Sequence, residues 1–198
     1  MLTGPLLLFN PWLVSIEQAR HGVAASLGTD QQDVDRVTVA LLRDLFVDGE
    51  FAASLDGDAP ILDAAERSHM ADVGGLVRIL TGLEAGAIVV LLTTSWWLRA
   101  ERTRRGRLLL RAALAVGAVA LVLGIFFAVA FDAAFTAFHA LFFRAGTWQF
   151  GPESNLIRLF PEPFWFETSL LAGLSILLGA MLAAWLGRRG MRPGPAER

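Results

Sequence analysis

Cysteine, lysine and tyrosine are all absent from this chain, and histidine occurs only at His21, His69 and His139. Without cysteine there is no thiol nucleophile, disulfide or thiolate metal ligand. Without lysine there is no Schiff-base or ammonium chemistry, and all 17 basic residues are arginine. Acid–base work therefore falls to histidine, aspartate or glutamate. A G-x-S-x-G nucleophile elbow is also missing. So are an internal repeat and any long strand-like alternation.

What the chain has in excess is apolar surface. Of its 198 residues 55% are hydrophobic, and mean hydropathy is +0.52. Those values belong to a membrane protein rather than an ordinary soluble domain. Three runs, 79–98, 108–131 and 168–187, reach the ~20 residues that a bilayer core requires. The net charge of −2 is unevenly spread. Six arginines and one glutamate lie between Arg99 and Arg111, and four arginines and one glutamate between Arg188 and Arg198. These segments carry +8 and leave −10 for the rest. The positive-inside rule then makes the loop 99–107 and the tail 188–198 cytoplasmic. Segments 17–78 and 132–167 face outward. Trp96, Trp97, Trp165 and Trp185 fall near the expected interfaces. No ionisable residue is placed mid-span, which weighs against a transporter.

The first 16 residues are apolar but too short to span, are interrupted by Pro5 and Pro11, and lack a basic n-region. They read as the remnant of a first transmembrane helix, with coding sequence continuing upstream of Met1; the alternative is an interfacial segment. Segment 17–78 reads as a small extracytoplasmic cap. Val34, Val37, Leu41, Leu42 and Leu45 recur at helical spacing behind Asp30, a suitable N-cap. A Gly- and Asp-rich loop follows, ended by Pro60, and a second helix starts near Ile61 and runs toward the membrane. The expected architecture is an all-α membrane protein, a four-helix transmembrane bundle with an incomplete first helix beneath this cap.

The stretch "AERSHMADVGGL", residues 65–76, sets His69 about 10 residues before one span, and His139 follows the next span by about 8. The two spans are consecutive and antiparallel. If both helices continue outward, with a bend allowed at Gly74 and Gly75, the imidazoles stand ~12–17 Å above the hydrocarbon edge at equal height. Asp72 and Glu66, three residues either side of His69, share its face as supporting acids or as solvated surface charges. Phe127, Phe131, Phe135, Phe138 and Phe142 form a stripe that either packs helices or lines a path for an acyl chain. In "LFPEPFWFE" two prolines are expected to prevent regular helix, with Phe164, Trp165 and Phe166 dipping into headgroups. Arg144 and Arg158 either hold lipid phosphate or pair with Glu153 and Glu162.

At these residues the sequence resembles the lipoprotein intramolecular transacylase family of bacterial membrane proteins. The likeness is carried by "SHMADV" at 68–73, "FH-x-x-FF" at 138–143, "W-x-F-x-P" at 148–152 and "LI-x-L-x-PE-x-F" at 156–164. It departs from the family pattern at Gly74, Gly151 and Asn155. The resemblance implies four transmembrane helices under an extracytoplasmic cap in the bacterial cytoplasmic membrane, with His69 and His139 catalytic. Its implied substrate is a diacylglyceryl-modified lipoprotein, one acyl chain moving from glycerol to the N-terminal cysteine amine. Arg144, Arg158, Trp148 and Phe142 are then expected as substrate or lipid contacts. Membrane lipid is the other partner; no nucleic acid, cofactor or metal is expected. The competing readings are a non-enzymatic membrane scaffold and a metal site built from His69, His139 and Asp72 or Glu66.

Overall fold

The computed structural model describes residues 9–47, 49–55, 57 and 59–191, and among these it contains eight helices and no strand. Residues 1–8, half of the expected first-span remnant, lie outside the described residues, as does 192–198 of the tail. In chain order the helices are α1 (Pro11–Arg20), α2 (Val23–Leu27), α3 (Gln31–Val47) and α4 (Ala64–Trp97). They continue with α5 (Arg102–Val129), α6 (Phe131–Phe142), α7 (Asn155–Leu159) and α8 (Glu162–Gly190).

The core is not in the long helices but in a head at one end of them. Val34, Val37, Leu41 and Leu45 of α3 are each at most 2% exposed, as the helical spacing predicts. The Asp33 amide donates to Asp30 Oδ1 at 2.9 Å, in the expected capping position. Against this stripe pack Val14 of α1, Phe51, Met70 near the start of α4, and Leu156 and Leu159 of α7. A polar node ties three of these helices together. Gln18, fully buried, donates to the Leu159 carbonyl at 3.0 Å and accepts from Thr38 Oγ1 at 3.0 Å. Its amide is thereby satisfied without water, which is what makes a buried glutamine tolerable.

Helix α4 starts at a capping box: the Glu66 amide donates to Asp63 Oδ1 at 2.8 Å, and the Asp63 amide to Glu66 Oε2 at 2.7 Å. It then runs for 34 residues as one helix straight through Gly74 and Gly75. Gly74 is the contact point with α3: a Cβ there would meet the Leu45 carbonyl oxygen and the Phe51 ring at 3.5 Å. The nearest atom to such a Cβ is Nη1 of Arg78 at 3.1 Å, so a side chain here would have to displace that guanidinium slightly.

Two expectations for the later segments are corrected. The chain does not continue as one helix from span 108–131 to His139. It breaks at Ala130 (φ −138°, ψ 56°) and restarts as α6, with Asp132 in the new first turn, where a carboxylate favours helix initiation. "PEPFWFE" is not irregular either: α8 begins at Glu162, with Pro161 as N-cap and a proline in the first turn. First-turn amides have no intrahelical acceptor, so proline costs nothing there and its fixed φ suits the helix. Phe164, Trp165 and Phe166 accordingly sit on the first turns of α8.

Helices α4, α5 and α8 are each long and apolar enough to cross a membrane, and only 11% of each apolar window is buried. Leu83, Val90, Val122 and Leu182 all stand more than half exposed. Such outward apolar faces are stable against lipid, not water. Glu84 corrects the view that no ionisable residue lies within a span. It sits inside 79–98 and is 7% exposed.

Helices α5 and α8 make the main pairing, closest at Gly106 and Gly187. A Cβ on Gly187 would lie 2.8 Å from the Gly106 carbonyl oxygen and 2.9 Å from the Leu110 amide nitrogen. Small residues at such a crossing let backbones approach where lipid provides no hydrophobic drive. Gly187→Ala should therefore force the helices apart at a cost of about 1–3 kcal/mol. Gly82→Ala, with open space around it, should not. Thermal unfolding in detergent compares them, and equal midpoints would show that the close approach is dispensable.

Candidate active site

The histidines of the two sequence motifs meet. The ring centroids of His69 and His139 are 5.9 Å apart, with planes tilted by 31°. Equal height has become contact because α6, freed by the break at Ala130, carries His139 over to α4. His69 is 6% exposed and lies two turns into α4. Its ring packs edge-on against Phe143 at 4.9 Å and against Phe150 at 5.7 Å. His139 is half-buried, with Phe135 at 4.0 Å and Trp148 at 4.8 Å from its ring.

This enclosure sets the protonation states. Burial pushes His69 down to about 4, the neighbouring His139 adds to the shift, and Asp72 opposes it. Burial likewise lowers His139, opposed by its hydrogen bond to the Phe135 backbone. Both rings are neutral at pH 7. His139 Nδ1 lies 2.8 Å from the Phe135 carbonyl oxygen, which can only accept. Nδ1 therefore carries the proton, and the lone pair of the neutral ring is on Nε2. That leaves His139 a base of fixed orientation.

The two acids beside His69 divide. Asp72 is exposed and acts on His69 through its charge alone. Glu66 is 2% exposed and turned away into the head. Besides the Asp63 amide it accepts the Leu156 amide at 3.0 Å and the Ser154 hydroxyl. It stitches the helix of His69 to the loop that runs from Trp148 to α7. Sequence reasoning placed Glu66 on the His69 face and missed this role; its position at the third residue after Asp63, a capping-box spacing, was the available signal. Beside the stitch, Pro60, Gln149, Phe150 and Asn155 line a polar cavity of about 490 Å³.

Of the expected substrate contacts, Trp148 is in the site. Phe142 is 48% exposed and contacts Phe138 at 4.9 Å. Arg144 is exposed, and Arg158 donates to Asn155 Oδ1 at 3.1 Å rather than pairing with Glu153 or Glu162. His21 is elsewhere, 3.7 Å from Glu17 and 3.5 Å from Glu167, whose carboxylates both accept from Arg20. Those three residues form the one group of three with metal-ligand spacing among the described residues. The histidine pair forms none with Asp72 or Glu66.

The site thus sets two neutral imidazoles at the head end of long apolar helices suited to a membrane, with no side-chain nucleophile marked out. The family profile for the lipoprotein intramolecular transacylase Lit matches residues 2–165, and the chain belongs to that family. Among solved structures it is similar to the membrane integral lipoprotein intramolecular transacylase Lit from Bacillus cereus. The TM-score is 0.82 at 21% identity, over 94% of this chain and 86% of that one. Two single-histidine variants of that protein also match at 21% identity. The variant to arginine has a TM-score of 0.74 over 93% of this chain and 81% of that one. The variant to alanine has 0.75, over 93% and 84%. At this identity the likeness is one of fold. No curated protein sequence gives a significant match.

Proposed function

We infer that this protein is a lipoprotein intramolecular transacylase, moving an acyl chain from the diacylglyceryl group of a lipoprotein to its N-terminal cysteine amine. The observation that carries the reading is the contact between the two motif histidines, both neutral, with the lone pair of His139 fixed on Nε2. Family membership supports it and leaves a non-enzymatic scaffold with no observation in its favour.

The reaction proceeds by attack of the cysteine amine on an ester carbonyl of the same molecule. Ester and amine share one substrate, so a single binding event supplies the proximity. An α-amine has an ordinary pKa of about 7.7–8.0, within reach of an imidazole base. As the C–N bond forms, His139 Nε2 takes the amine proton. The tetrahedral intermediate collapses with cleavage of the C–O bond to glycerol, and the proton passes to the departing oxygen, directly or through His69. The products are an N-acyl amide and a lyso-glyceryl thioether. Mass spectrometry of a lipoprotein's N-terminal peptide tests the reading: expressing this protein should convert diacylglyceryl peptide to the N-acylated lyso form. Unchanged peptide would overturn it.

The same reading proposes a four-helix bundle in the cytoplasmic membrane, with α4, α5 and α8 among its spans. The head forms an extracytoplasmic cap, and 99–107 and the tail are cytoplasmic. The arginine asymmetry supports this orientation. Because the chain has no cysteine, single cysteines report cleanly. An impermeant thiol reagent on intact cells should label Ala65→Cys and spare Arg104→Cys. The reverse pattern would invert the topology.

A further inference from the structure

We propose that the indole N–H of Trp148 is a catalytic hydrogen-bond donor, held to stabilise the negative oxygen that forms on the ester carbonyl. The assignment rests on the transacylase reading and adds a residue to its chemistry. Within the aromatic box around His139, two polar atoms are buried without a hydrogen-bond partner: Nδ1 of His69 and Nε1 of Trp148. An unpaired buried N–H is unfavourable and rare in native folds, and a catalytic role is one of the few reasons for it to persist. Trp148 does not reach this place by accident of a loose loop. A tight turn follows α6, with Gly146 in the left-handed region (φ 83°) and the Thr147 amide and hydroxyl donating to the Arg144 carbonyl at 3.2 and 2.9 Å. That turn lays the indole against His139, ring centroids 4.8 Å apart and planes tilted by 37°.

The reaction needs three services: removal of a proton from the amine, return of a proton to glycerol, and stabilisation of the oxyanion between them. The histidine pair can supply the first two by shuttling one proton. The third calls for a donor that does not lose its proton, next to the base and away from water. Indole N–H is a donor only and does not titrate in this range. Other donors are placed badly or missing. Arg67 is two residues from His69 on the same helix, so it points away from that ring, and the guanidinium of Arg78 lies beside Gly74, more than a turn of α4 beyond His69. Tyrosine and lysine do not occur.

The cleanest test replaces Trp148 by benzothienylalanine, in which sulfur stands in place of the N–H and the ring shape is kept, with Trp148→Phe alongside. Both are assayed on a diacylglyceryl lipopeptide in detergent for kcat, KM and pH dependence, with thermal unfolding as the check on folding. The isostere should unfold like the wild type and lose about 100-fold in kcat, the scale of one oxyanion donor. KM and the pH dependence should be unchanged. A kcat within about threefold of wild type, well below that scale, reduces Trp148 to packing and overturns the assignment. So does a rise in KM alone, which would make it a ground-state lipid contact. An inactive wild type removes the transacylase reading itself and this assignment with it.

Discussion

His139→Ala should abolish transacylation, with a loss of about 10²–10⁴-fold set by removal of a positioned base. The neutral ring offers one lone pair, on Nε2, because Nδ1 is committed to the Phe135 carbonyl. Apart from His69 no imidazole is at hand, since the third histidine sits among Glu17, Arg20 and Glu167. His69→Ala should fall nearly as far, and the double mutant no further than the worse single, as for residues that act as a unit. His21→Ala should retain activity. Yields of N-acylated peptide at matched expression decide, and wild-type yield in His139→Ala would end the base assignment. The pH dependence is a second reading of the same ring. Because burial holds both imidazoles below their ordinary value, the base stays unprotonated as pH falls through 6.5. The rate should therefore rise through the substrate amine's own pKa, roughly 8, with no inflection near 6.5. Stability depends on pH with the same sign but in a lower window. The unfolded chain binds more protons than the folded one between 6.5 and about 4, so stability present above that window is lost as pH drops through it.

The site was legible in the sequence as a pair of histidines at equal distances from two span ends, because helix rise converts residue number into height. What sequence could not supply was lateral position. Contact depends on the break at Ala130, a residue that is neither glycine nor proline and carries no breaker signal. The head was legible where a 3.6-residue period is strong, as in Val34 to Leu45, and less so where the fold relies on single side chains such as Gln18 and Glu66. For those, burial and partner are long-range facts: the bond from Gln18 to Leu159 crosses most of the chain. The start of α8 is hidden for a local reason: proline reads as a breaker, yet at a helix N-terminus it is permitted. Apolar length picked out three helices able to cross a membrane, yet Glu84 shows that a run can satisfy hydropathy and still enclose a buried carboxyl.

Glu66→Ala should cost both stability and turnover, more than any other acid near the site. Its carboxylate is shared by the Asp63 amide, the Leu156 amide and the Ser154 hydroxyl, and it is nearly sealed from water. Truncation leaves three donors without their acceptor, at about 1–3 kcal/mol. The damage is directed at the site, because His69 lies one turn further along α4 on the same face. The far end of the stitch is the loop that bears Phe150, whose ring touches His69. Loosening it lets His69 drift from His139, and displacements near 1 Å are enough to lower a rate by about 100-fold. Glu66→Gln should fall between alanine and wild type, keeping one acceptor oxygen but turning an NH₂ group toward a backbone N–H. Asp72→Asn is the contrast. It removes an exposed charge that raises His69, so the ring becomes still harder to protonate and turnover should change little. Unfolding midpoints in detergent, followed by single-turnover rates below those midpoints, separate the two effects. If Glu66→Ala melts with the wild type and turns over at its rate, the carboxylate is not the part that holds His69 in place.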